Sequence, residues 1–301
     1  MNTLQLTTSV KRELWEYKKI FMWIPLTLAI LFIVTPLLSY LLNNTSHINW
    51  VGQFKAISEF PNPEEFSQIV FGFISVLFVP FVIISGIVQL YYFIACLFDE
   101  RRDLSILFWR SLPVSDAMNV GVKLLVGSLI LPIIFLLAAT ATLLFFLIII
   151  FIGCIILSVG YDVSLWALWA ESDFIVHLLT SWSSILPYTL WMFPVYAWLM
   201  LVSIFANKAP FLWAVLPVIV ILLVESFFVH YFNLDSRFFA GMLLDYFTIS
   251  QNAIDVYTDS HTSITVVPFS VMKDKVSVVA ILIGAGFMYA TYWLRVNKSQ
   301  S

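Results

Sequence analysis

The sequence predicts an all-α fold, a polytopic membrane protein with six transmembrane helices. An N-terminal interfacial helix and a short helix in one internal loop complete the prediction. Three observations carry it. Of the 301 residues, 61% are hydrophobic and only 11% are charged, against about 25% charged in a soluble domain. With a mean hydropathy of +0.96, so few charges cannot cover a soluble surface, and lipid must cover much of it. Six apolar stretches reach the ~20 residues that a spanning helix needs. Finally, Lys and Arg fall mostly on one side of the topology those stretches define.

The spans are predicted at about Ile20–Leu42, Ile69–Phe98, Leu124–Ser158, Ser184–Ala206, Ala209–Tyr231 and Val276–Leu294. With the N-terminus inside, eleven of the 15 Lys and Arg lie inside: Lys11, Arg12, Lys18, Lys19, Arg101, Arg102, Arg110, Lys123, Lys208, Arg295 and Lys298. Lys55, Arg237, Lys273 and Lys275 lie outside. That bias predicts both termini in the cytoplasm. The third run is the difficult one, because no charged residue occurs from Leu124 to Tyr161. One helix of that length exceeds the ~30 Å hydrocarbon core. It tilts, kinks at Pro132 or projects; a hairpin turning near Gly153 or earlier is the alternative. The charge count favours one helix and six spans. Pro25, Pro36, Pro80, Pro132, Pro187, Pro194 and Pro217 fall inside spans, where neighbouring groups must satisfy the carbonyls they free.

Residues 1–301 read as a single transmembrane domain, since no loop reaches ordinary domain size. Lys11, Arg12, Lys18 and Lys19 precede the first run, and no small-residue cleavage site follows it, so that run reads as a retained span. Thr7–Phe21 is amphipathic, with Val10, Leu14, Tyr17 and Phe21 at helical spacing among charges. This suits a helix lying in the headgroup plane. In the last external loop, Phe238–Phe247 is apolar enough for a short re-entrant or interfacial helix. Cys96 and Cys154 read as buried membrane thiols.

The internal loop Asp99–Lys123 is dense in charges and apolar side chains. Leu104, Leu107, Phe108 and Leu112 share one helical face. Pro113 cannot continue that helix without losing a hydrogen bond. Ser115 is suited to cap a new helix, and Asp116 to its first turn. The loop therefore reads as a short transverse helix, a break and a fresh start into span three. Such an element receives a push from a soluble partner and passes it to two spans.

The residues Glu100-Arg101-Arg102, Leu104 to Trp109, Leu112-Pro113-Val114-Ser115 and Lys123-Leu124-Leu125 together resemble the ABC-2-type permeases of ATP-binding-cassette transporters. Asp103-Leu104-Ser105 departs from the Gly-Thr or Gly-Ser pair common in that family. The motif covers only about Asp99 to Leu125; the topology covers nearly the whole chain. The resemblance implies that 99–123 is a coupling segment docking on a separate ATPase subunit. Glu100, Arg101, Arg102, Asp103, Arg110 and Ser115 would be its polar contacts. Leu104, Leu107, Phe108 and Trp109 would fill the groove or pack on the spans, with Leu112 and Pro113 ending the helix. It also implies a second permease chain, identical or not, and a bacterial inner membrane.

No Gly-x-x-x-x-Gly-Lys-Ser/Thr phosphate loop occurs, so ATP and Mg are expected on the partner and this chain is expected to be a non-catalytic exporter subunit. No His-x-x-x-His or Cys-x-x-Cys pattern supports a metal site, and no nucleophile elbow is present. Membrane lipid is an expected partner and nucleic acid is not. Glu225 is the only acid well inside a predicted span, which marks it as a transport-path candidate. A proton-coupled secondary transporter using Glu225 is the alternative reading.

Overall fold

A computed structural model describes residues 3–42, 63–103, 115–161, 166, 174–232, 237–248 and 275–298. Among the described residues there is no strand. Helix α1, Thr3–Glu16, passes through a π-helical turn at Lys19–Trp23 into α2, Ile24–Leu42. Next come α3, Pro63–Arg102, and α4, Asp116–Leu125. A second π turn at Val126–Ile130 joins α4 to α5, Leu131–Tyr161. The rest are α6 (Phe174–Ser183), α7 (Ile185–Phe205), α8 (Pro210–Tyr231), α9 (Phe238–Phe247) and α10 (Val278–Lys298).

Six helical stretches are long and apolar enough to cross a membrane. They match the six predicted spans in number and order: the third and fourth begin 8 and 10 residues earlier than predicted, and the other ends agree within four residues. The third is continuous from Asp116 to Tyr161, 46 residues, so the single helix is correct and the hairpin is not. At 1.5 Å per residue it is about 69 Å long, roughly twice the hydrocarbon thickness. The short helix expected over Phe238–Phe247 is present as α9.

Helices α3 and α7 are the most buried of the six and form the core. Helix α7 packs on α3, α8 and α10, while α5 packs on α2 and α3. Tyr92, Phe93, Phe81, Leu131, Phe135, Tyr196 and Met200 are at 1% exposure or less at the centre. Phe93 stacks on Tyr196 at 4.5 Å. Helices α2 and α8 bury little and offer Leu, Ile and Val outward, as lipid-covered helices do.

Two glycines mark close approach. A Cβ on Gly127 would stand 2.5 Å from Phe93 Cζ, and one on Gly284 would stand 2.7 Å from the Phe193 ring. Small residues that let membrane helices meet so closely are a recurrent packing device.

Pro132 shows how the bundle accepts its prolines. It has no N–H to give to the carbonyls one turn back. The Ser128 carbonyl instead accepts the Thr189 hydroxyl at 3.0 Å. The Gly127 carbonyl, inside the π turn, accepts from Gln89 Nε2 at 2.9 Å. The Gln89 Oε1 in turn accepts from both Tyr188 and Tyr196 hydroxyls, each at 3.1 Å. Spans two, three and four are thus tied by one polar knot among apolar side chains.

Candidate functional site

Six charged side chains from four elements converge at one end of the bundle. Lys123, on α4, is fully buried. Its Nζ lies 2.7 Å from Glu13 Oε1 of α1 and 3.1 Å from Glu100 Oε1 of α3. Arg295 of α10 reaches Glu100 Oε2 at 3.0 Å and Asp116 Oδ1 at 2.9 Å. Arg12 donates to Glu13 at 2.9 Å and to the Asn119 side-chain oxygen at 2.8 Å. The Tyr92 hydroxyl donates to the second Glu13 oxygen at 3.1 Å.

The charges balance: Arg12, Lys123 and Arg295 against Glu13, Glu100 and Asp116. Glu13, Glu100, Lys123 and Arg295 are all at 3% exposure or less. Isolated burial of any one would cost several kcal/mol. Here each charge has an opposite partner, and Tyr92 and Asn119 add hydrogen bonds to Glu13, Arg12 and Glu100, the condition under which burial is tolerated.

Local sequence explains each placement. Ser9, Glu13, Tyr17 and Phe21 recur every four residues, so they share one helical face, and that face points into the protein. The Ser115 hydroxyl caps α4, accepting the Met118 N–H at 3.2 Å. Asp116 follows in the first turn, where an anion suits the helix dipole. Asn119 and Lys123 then stand three and seven residues further, on the same face.

Of the residues expected to meet a partner ATPase, Glu100 lies inside this cluster. Arg101 reaches back to the end of α7 and donates to the Ser203 and Ala206 carbonyls. It thereby satisfies groups that a helix end leaves open. Arg102 and Asp103 are exposed, about 60% each, and paired with one another at 2.9 Å. Ser115 is exposed at its cap position. Leu104, Leu107, Phe108, Trp109, Arg110, Leu112 and Pro113 lie outside the described residues. The described flanks of that segment, Glu100 on one side and Asp116 and Lys123 on the other, meet in the same charged cluster.

Glu13, Arg295 and Tyr92 were not singled out by sequence reasoning, and Lys123 entered only in the orientation tally and as the residue that opens the third span. Glu13 reads as one acid in a charged flank, and Arg295 as one count in the orientation tally. The available signal was spacing: Glu13 falls in four-residue register with Ser9, Tyr17 and Phe21, and Lys123 adjoins a long uncharged run.

Glu225 lies elsewhere, near the other end of α8. Its two oxygens accept the backbone N–H groups of Phe239 and Ala240, at the start of α9. A carboxylate there neutralises open donors and complements the helix dipole. Tyr246 of α9 donates its hydroxyl to the Trp191 carbonyl, and the Trp191 indole donates to the Tyr246 carbonyl. Helix α9 is therefore fastened to both α7 and α8.

Comparison with known proteins gave no match to any family model, to any curated protein or to any solved structure.

Proposed function

We propose that this chain is the membrane-spanning permease subunit of an ATP-binding-cassette exporter, driven by a separate ATPase subunit that docks on the 99–116 loop. The carrying observation is the buried cluster of Glu13, Glu100, Asp116, Lys123 and Arg295. It clamps both ends of that loop to the N-terminal helix and to the sixth span. With both flanks held this way, a force on the loop moves α1, α3, α4 and α10 together. The motif through Leu112-Pro113-Val114-Ser115 and Lys123 supports the same reading.

In this scheme the partner binds ATP and Mg, and its closure pushes the loop. A second permease chain completes the path, in a bacterial inner membrane with both termini in the cytoplasm. The 11-to-4 distribution of Lys and Arg favours that orientation. So does the meeting at one end of every element the charge count puts inside: α1, the α3 and α10 ends, the α4 start and the α7 end. Arg102 and Asp103 are the exposed contacts for the ATPase; Glu100 and Lys123 transmit from within.

The test is co-purification of the solubilised chain from native membranes with an ATPase assay on what accompanies it. The expected result is a stoichiometric ATPase subunit, lost in an Arg102→Ala/Asp103→Ala variant that keeps the wild-type unfolding midpoint. A chain that purifies alone, with no ATPase activity when candidate subunits are supplied, contradicts the proposal.

A further inference from the structure

Along α1 and the start of the first span, two opposite stripes run the length of the helix. Ser9, Glu13, Tyr17 and Phe21 face inward, none above 8% exposed. Leu4, Thr8, Lys11, Trp15, Lys18 and Met22 recur at three- and four-residue steps on the other side, and all are exposed. Trp15 is 70% exposed and Trp23 61%.

The outer stripe carries an unbalanced charge. Glu13 is turned inward and engaged by Lys123. The exposed Lys11, Lys18 and Lys19 therefore face a single exposed acid, Glu16. The Lys18 ammonium stands over the Trp15 ring at 5.8 Å. Thr8, Lys11, Arg12, Trp15 and Glu16 line an open recess of about 610 Å³.

Position sets the chemistry of what fills it. Helix α1 feeds into the first apolar span at Lys19. The stripe thus stands where hydrocarbon gives way to headgroups, the level at which Trp and Lys settle. A surface that is cationic, aromatic and level with headgroups complements a phosphodiester attached to acyl chains.

We propose that this stripe is a binding surface for anionic phospholipid. Lys11, Lys18 and Lys19 pair with headgroup phosphates, and Trp15, Met22 and Trp23 lie against the glycerol and upper acyl region. Arg12 joins this surface to the charged cluster, because it lines the recess and bonds Asn119 at 2.8 Å. The proposal rests on the membrane-spanning character of the chain, not on the ATPase partner.

The test uses the full chain, delipidated in detergent and given equal amounts of dioleoyl phosphatidylglycerol and dioleoyl phosphatidylcholine. Native mass spectrometry then counts the lipids retained. Wild type is expected to retain phosphatidylglycerol preferentially. Lys18→Gln/Lys19→Gln is expected to lower that preference roughly tenfold or more, since each lysine near an anionic surface contributes several-fold. Lys18→Arg/Lys19→Arg is expected to keep it, and so is Lys208→Gln/Arg237→Gln, which removes two charges elsewhere. Equal retention of the two lipids by wild type overturns the proposal, whether or not the variants fold. So does an equal loss in the α1 and control variants.

Discussion

Lys123 is the residue on which most of the charged end depends. Its ammonium lies between Glu13 and Glu100 at 2.7 and 3.1 Å with no exposure. Lys123→Met leaves those carboxylates with one cation fewer. Breaking a buried pair from one side costs about 3–5 kcal/mol, so the unfolding midpoint in detergent should fall sharply. Adding Glu13→Gln restores the charge balance and should recover part of the loss. A double variant as unstable as the sum of the two singles would contradict the pairing. Gly127 makes a second prediction at this scale. Gly127→Ala would press a methyl against Phe93 and Tyr92, and overpacking of this kind costs about 1–3 kcal/mol. Gly121→Ala, with nothing within 4 Å of the added carbon, is the control that should fold normally.

Helix α9 depends on anchors outside itself. It has ten residues, too few to hold a helix alone in water. Glu225 supplies the acceptors at its start, and Trp191 exchanges hydrogen bonds with Tyr246 near its end. Glu225→Ala should therefore speed amide hydrogen exchange at Phe239 and Ala240 by roughly tenfold, matching a loss of about 1–2 kcal/mol at a partly buried helix start. Exchange unchanged at those two amides would exclude the anchoring role. The presence of α9 was legible, because Phe238–Phe247 is an apolar ten-residue run. The role of Glu225 was not, since its acceptor sites are backbone groups 14 and 15 residues away. The same contrast holds for α1. Its helicity follows from the spacing of Val10, Leu14, Tyr17 and Phe21. Which face turns inward was decided by Lys123, 110 residues further on. Ser115, by contrast, was readable as a cap because capping is local.

Across the whole molecule, the six spans follow from hydropathy because each needs only its own residues to be recognised. The continuity of the third span was not decided by composition; a 46-residue helix and a hairpin share the same apolar run. Pro132 and the π turn at Val126–Ile130 interrupt the regular hydrogen bonding of the run without ending it, because Gln89 and Thr189 satisfy the carbonyls they open. The charged cluster then gives the bundle a direction. One end is fastened by ion pairs from α1, α3, α4 and α10; the opposite end carries α9. Under the proposed function, a push on the 99–116 loop would enter at the fastened end and reach four helices at once.

The most direct measurement of that claim is cross-linking from the exposed edge of the loop. A cysteine at Asp103, in a chain carrying Cys96→Ser and Cys154→Ser, is labelled with a photoactivated cross-linker in native membranes, and the captured polypeptides are sequenced. The expected product is an ATP-hydrolysing subunit, captured from Asp103 and not from a cysteine at Lys275 beyond α9. Capture of no ATPase from Asp103, or equal capture from both positions, would contradict a docking loop at this end of the bundle.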